Sequence, residues 1–215
     1  MNAIDCSLYL VTNSDPFPEE RFLKIIEEAL QNGVTLLQLR EKELTGRAYY
    51  ERALAVKKLA HQYHVPLIID DRVDIALAAD ADGVHLGQSD LPVSVARRLM
   101  GPDKIIGASA KTVEQALEAE RQGADYLGTG AIFPTKTKVI TRQTSTDTLR
   151  AICEAVKIPV AAIGGLNREN VHVLDGIPVS GFCVVSAIMY SDTPGAAARE
   201  LAAISTKMQA RRQSL

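Results

Sequence analysis

The sequence predicts an α/β protein, a single-domain (β/α)8 TIM barrel with eight parallel strands. Three observations lead there. Short apolar, β-branched runs alternate with amphipathic stretches, and the alternation repeats eight times along 215 residues. The apolar runs are continuous, as expected for parallel strands buried on both faces. Eight strand–helix units in this length leave room for few insertions, which suits a barrel. An open doubly wound sheet shares the same local pattern and is the competing architecture.

The first strand is expected at residues 8–12. After a proline-containing loop, 19–31 has helical spacing with Phe22, Ile25, Ile26, Ala29 and Leu30 on one face, and Asn32-Gly33 supplies the stop. A strand at 35–40 leads to a long helix at 45–64, and a strand at 66–71 to a short helix at 74–79. Strand 83–86 precedes a helix at 92–100, and strand 104–109 a helix at 113–122. The sixth strand is read at 125–130 with its helix at 146–156, and the seventh at 159–164 with a helix at 168–174. The eighth, 181–186, is followed by a helix beginning near Pro194. No shift in composition marks a second domain, so residues 1–215 read as one, with 208–215 expected as a frayed helical tail.

Composition narrows the function. A net charge of −2 gives no basic footprint for nucleic acid, so any anion binding must come from local placement of Lys and Arg. Cys6, Cys153 and Cys183 lack the spacing of a zinc site and are odd in number, so each reads as a small buried hydrophobe. Residues 1–6 carry an early acid and no basic n-region, and no uncharged apolar run approaches a membrane span. The expected setting is a reducing cytoplasm, with small-molecule partners, no nucleic acid and no membrane; homo-oligomerisation stays open.

One loop stands out. Pro134-Thr135-Lys136-Thr137-Lys138 follows a buried strand and precedes a run without hydrophobic period. Its hydroxyls and lysines suit an anionic ligand, and a solvated basic turn would have the same composition. The other strand ends decide between these. A barrel enzyme gathers its chemistry at the C-terminal ends of its strands. Those ends carry Gln38-Leu39-Arg40-Glu41-Lys42, Asp70-Asp71, Gly87-Gln88-Ser89-Asp90, Ser109, Gly164-Gly165 and Ser186. Arg40, Lys42 and Lys138 are cations from two strands, and Asp71 and Asp90 are carboxylates from neighbouring ones. A Mg²⁺–pyrophosphate site needs this mixture, since Mg²⁺ takes one or two protein carboxylates plus waters and phosphate oxygens. A rim of mutually solvating ion pairs is the bland alternative.

Period two along the second strand puts Gln38 and Arg40 on one side and Leu37 and Leu39 on the other. If the leucines face the helices, Gln38 and Arg40 project into the barrel mouth. Gly164-Gly165 and Val185-Ser186 fall where many barrels bind a phosphate monoester. The histidines add little: His61 and His64 fall at the opposite rim, His172 on the seventh helix, and His85 inside a strand as a core or supporting group. A histidine-driven acid–base mechanism is disfavoured.

Further motifs lie between these positions: 69–77 (Ile-Asp-Asp-Arg-Val-Asp-Ile-Ala-Leu), 81–88 (Ala-Asp-Gly-Val-His-Leu-Gly-Gln), Gly107-Ala108-Ser109, 130–138, 162–165 and 185–188. Taken in order with Gln38 to Lys42, they make the chain resemble the thiamine phosphate synthase family over essentially its whole length. The resemblance implies a transferase that joins 4-amino-2-methyl-5-hydroxymethylpyrimidine diphosphate to a thiazole phosphate. It implies Asp71 and Asp90 on Mg²⁺, and Gln38, Arg40, Lys42, Asp70, Ser109 and Lys138 on the pyrimidine diphosphate. Thr135, Thr137, Gly165, Val185 and Ser186 would hold the thiazole phosphate. Arg40, Lys42, Ser109 and Lys138 are the implied catalytic residues, in a dissociative reaction where pyrophosphate leaves before the thiazole nitrogen attacks. Two features depart from the family pattern: Asp70 stands where Asn is common, and the loop after Lys138 lacks a glycine often found before the sixth helix.

Three other readings compete. A thiazole tautomerase of the same superfamily would not need the metal–diphosphate set, and Lys111 stands where that branch is expected to place a histidine. A non-catalytic phosphate-binding barrel predicts a loss in the metal or lysine set, and none is seen. A sugar-phosphate isomerase or epimerase would want an acid–base pair facing one carbon.

Overall fold

The structure, a computed structural model, describes residues 4–134 and 143–213. Its strands are β1 (Leu8–Val11), β2 (Leu36–Leu39), β3 (Leu67–Asp70), β4 (Gly83–Leu86), β5 (Ile105–Ser109), β6 (Tyr126–Gly130), β7 (Val160–Ile163) and β8 (Gly181–Val184). They pair in sequence order, all parallel, and β8 closes on β1. The closed barrel therefore decides against the open sheet. The helices are α1 (Glu19–Leu30), α2 (Gly46–Gln62), α3 (Val73–Ala78), α4 (Val93–Met100), α5 (Val113–Arg121), α6 (Thr146–Ala155), α7 (Ser186–Met189) and α8 (Pro194–Gln213).

Local chemistry sets several starts. The Thr45, Thr112 and Ser145 hydroxyls accept from the backbone N–H three residues on, capping α2, α5 and α6. Every residue of β1, β2, β3, β4, β6 and β8 is buried, which explains the continuous apolar runs. Their side chains still divide by parity. Leu8, Leu10, Leu37, Leu39, Phe182 and Val184 pack outward into the layer shared with the helices. Tyr9, Val11, Leu36, Ile68, Tyr126, Ala161 and Cys183 form the smaller inner cluster that fills the barrel. That parity sends Gln38 inward, as the alternation in the second strand requires.

Two elements differ from expectation. The segment expected to be a helix at 168–174 is only a 3-10 turn, Val171–Leu174. The Asn167 side chain accepts from the N–H groups of Glu169 and Asn170, and this Asx-type turn takes up residues a longer helix would have used. The eighth strand stops at Val184, because the chain turns at Val185 and Ser186 opens α7. Among the described residues no helix is long and apolar enough to cross a membrane.

The N-terminal rim carries structural contacts. Asp82 accepts from the Leu67 N–H and pairs with His61 at 2.8 Å, joining α2 to the strands. Asp125 accepts from the Ile106 N–H and pairs with Arg97. Phe182 is fully buried between β8 and the helices. Replacing it, Phe182→Ala, should cost about 3–5 kcal/mol, read as a lower urea midpoint at unchanged m-value. A loss below about 1 kcal/mol would contradict its place in the outer core.

Candidate active site

A cavity of about 710 Å³ opens at the C-terminal ends of the strands. Gln38, Arg40, Lys42, Asp70, Asp71, Asp90, Ser109, Gly165, Val185 and Ser186 all line it, so one space collects these ten predicted positions. Thr135, Thr137 and Lys138 lie outside the described residues. Gln88, Lys111 and Gln115 also border the cavity.

One wall is a charge cluster. The end of β3 delivers Asp70 and Asp71 side by side, and Lys42 from the β2 end reaches both. Its Nζ lies 2.8 Å from Asp70 Oδ2 and pairs as well with Asp71. Arg40 Nε approaches Asp70 Oδ2 at 3.8 Å. Asp71 sits in the left-handed region at φ 60°, which aspartate tolerates better than most residues, and its N–H donates to the His85 carbonyl at 2.9 Å. Asp90 folds back to accept from the Gly87 N–H at 2.7 Å, and its carboxyl meets that of Asp71.

These contacts separate three carboxyls that would otherwise behave alike. Burial, then the Asp71 charge, raises the Asp70 pKa despite Lys42 and Arg40. Burial also pushes Asp71 upward, but the bonds to Lys42 and Asp90 outweigh it and leave Asp71 below the ordinary range. Asp90 is raised, by burial and by Asp71. Two carboxyls in contact cannot both stay ionised without a proton or a cation between them. No cluster of three or more His, Cys, Asp or Glu that could hold a metal occurs among the described residues. The carboxyls of Asp71 and Asp90 offer oxygen donors on the cavity wall, which fits a hard cation that completes its shell with water and phosphate.

Beside this cluster, on residues within the strands, lies a neutral polar set. Gln38 is 4% exposed and its Nε2 donates to Tyr9 Oη at 2.6 Å. Tyr9 meets Tyr126 at 2.8 Å, Tyr126 meets His85 Nδ1 at 3.1 Å, and His85 Nε2 meets Ser109 Oγ at 3.0 Å. Gln88 Nε2 donates to the Ser109 carbonyl at 2.7 Å. His85, read from the sequence as a core or supporting group, thus reaches the cavity from within its strand. Tyr9 and Tyr126 were missed. The available signal was a phenol at an inward parity position, since a buried Tyr hydroxyl usually has a partner.

On the far side Gly164 and Gly165 turn with φ of 108° and 66°, where a side chain would be strained. A β-carbon on Gly165 would also run into Phe133 and Pro134. Gly165, Val185 and Ser186 face the same space as the charged wall.

Charged strand ends, paired carboxylates and a glycine turn gather on the C-terminal rim of a (β/α)8 barrel, the face on which barrel enzymes carry their chemistry. The sequence profile described as thiamine monophosphate synthase matches residues 8–188. Thiamine-phosphate synthase 2 of Streptococcus pneumoniae is 54% identical over 192 residues, covering 89% of this chain and 91% of the relative. Thiamine-phosphate synthase of Methanobrevibacter smithii is 50% identical over 201 residues, covering 94% and 96%. The solved structure of thiamine phosphate pyrophosphorylase from Pyrococcus furiosus superposes with a TM-score of 0.85 at 42% identity, over 94% of this chain and 96% of that one. The chain belongs to the thiamine monophosphate synthase family, and is a transferase of thiamine biosynthesis.

The ion pairing has a direct consequence. Lys42→Ala removes the cation between two carboxyls, so Asp70 and Asp71 should both titrate at higher pH than in the parent protein. Carbon-detected NMR titration of aspartate-labelled protein measures this. An unmoved Asp71 would mean that the Lys42 contact does not form in solution.

Proposed function

We propose that the chain joins 4-amino-2-methyl-5-hydroxymethylpyrimidine diphosphate to a thiazole phosphate, releasing pyrophosphate, in the cytoplasm. The observation that carries this reading is that one cavity is lined both by the charged cluster and by the neutral polar groups Gln38, His85 and Ser109. A diphosphate leaving group needs the first, and an aminopyrimidine ring needs the second.

In this reading Asp71 and Asp90 would hold Mg²⁺. Bound there, the ion would supply charge neutralisation for the departing diphosphate. Arg40 and Lys42 contribute fixed positive charge beside it, and Lys138 joins them by family resemblance. Asp70 keeps the two described cations aimed at the mouth, which gives an acid a use at a position where the family commonly has Asn. Gln38 and Ser109 orient the pyrimidine. Gly165, Val185 and Ser186 hold the thiazole phosphate, with Thr135 and Thr137 assigned by resemblance.

The carbon–oxygen bond between the pyrimidine methylene and the diphosphate breaks first, and its electron pair leaves with pyrophosphate. The thiazole nitrogen lone pair then closes the new carbon–nitrogen bond on the methylene cation. Such a reaction needs electrostatic stabilisation of the leaving group more than a nucleophile or base. The charged wall and Lys111 in the cavity favour this over the tautomerase alternative.

Incubation with both substrates and Mg²⁺ should give thiamine phosphate and pyrophosphate. Asp71→Asn and Lys138→Ala should each lower kcat/KM by about 100-fold or more while the circular dichroism spectrum stays unchanged. Full activity in either variant would sink the site assignment.

A further inference from the structure

The inner barrel carries a chain of hydrogen-bonded polar groups that links Gln38 to Ser109. We propose that Tyr9, Tyr126 and His85 form a directional hydrogen-bond relay across the barrel lumen, fixing Gln38 as an acceptor and Ser109 as a donor toward the substrate. The three are positioning residues, and the proposal rests on the synthase reading of the cavity.

The direction proposed starts from Gln38 and gives each hydroxyl one bond to donate and one to accept. Gln38 Nε2 donates to Tyr9 Oη, so Gln38 Oε1 is left to accept from a ligand N–H. The single Tyr9 hydroxyl proton then serves Tyr126 at 2.8 Å. Tyr126 in turn donates its only hydroxyl proton to His85 Nδ1 at 3.1 Å. A proton-free Nδ1 places the proton of the neutral imidazole on Nε2, which donates to Ser109 Oγ at 3.0 Å. The Ser109 hydroxyl proton is left to point into the cavity. In this direction each hydroxyl accepts one proton and passes one on, from Gln38 at one end to Ser109 at the other.

The fold is built around this chain. Tyr9 and Tyr126 are 2% and 0% exposed and pack edge to face, ring centroids 5.7 Å apart. Burial raises both phenol pKa values well above the usual value, so each keeps the one proton the relay needs. Gly107 faces the same spot from β5, where a β-carbon would collide with the Tyr126 ring and hydroxyl and with His85 Nδ1. Space for the Tyr126–His85 link therefore depends on a missing side chain.

The test reads the tautomer directly. The protein labelled with 15N-histidine contains four imidazoles, and His85→Gln identifies the signals of His85. The relay requires the Nε2–H tautomer in the parent protein and its loss or mixing in Tyr126→Phe. Kinetically, Tyr126→Phe should lower kcat/KM for the pyrimidine diphosphate about tenfold, with KM for the thiazole phosphate unchanged. Gly107→Ala should give the same pattern. Should Tyr126→Phe fail to fold, Tyr9→Phe interrupts the same chain one link earlier and carries both measurements. An Nδ1–H tautomer in the parent, or parental kcat/KM in a folded relay variant, overturns the proposal. Failure of the parent protein to make thiamine phosphate overturns the activity reading instead, and the tautomer then decides the relay alone.

Discussion

Two aspartates stand side by side at the end of β3, and the Lys42 ammonium makes that arrangement tolerable. Without a cation between them, Asp70 and Asp71 would compete for a proton in a half-buried place. With it, Asp71 is held below the ordinary carboxylate range, while burial and the Asp71 charge raise Asp70 despite that cation, so neighbouring residues with identical side chains acquire different tasks. Asp70 organises Lys42 and Arg40, and Asp71 turns to Asp90.

Barrel closure governs the neutral polar groups. Parallel strands buried on both faces leave a narrow lumen, and polar atoms there must satisfy one another. Gln38, Tyr9, Tyr126, His85 and Ser109 do so across five different strands. Most of the charge, from Arg40, Lys42, Asp71 and Asp90, comes from residues past the strand ends, whereas the neutral hydrogen bonds come from residues within the strands.

Much of this was legible in the sequence, for physical reasons. Continuous apolar runs announced strands buried on both faces, and the leucines beside Gln38 gave its direction. The ends of the strands pointed to the rim because loops after barrel strands hold polar residues that the core excludes. The relay was not legible, since Tyr9 and Tyr126 are 117 positions apart and meet only after closure. The seventh helix was misread because its apolar spacing does not register the Asn167 turn that uses up its first residues. The start of α7 at Ser186 was hidden for a similar reason: Val184 and Val185 continue the apolar run past the true end of β8.

Glu41, next to Lys42, points away from the cavity. Its carboxylate accepts from Ser14 Oγ at 2.7 Å and from Arg52 Nη1 at 3.0 Å, and Arg52 also reaches Glu19 while lying 5.2 Å over the Phe22 ring. One loop and two helices are joined at that one guanidinium, and Glu41 ties in a second loop through Ser14. The arm that carries Lys42 has therefore lost much of its conformational freedom on folding, before any ligand arrives. Ordering it again on binding takes little further entropy, and more of the attraction between this rim and an anion remains as affinity.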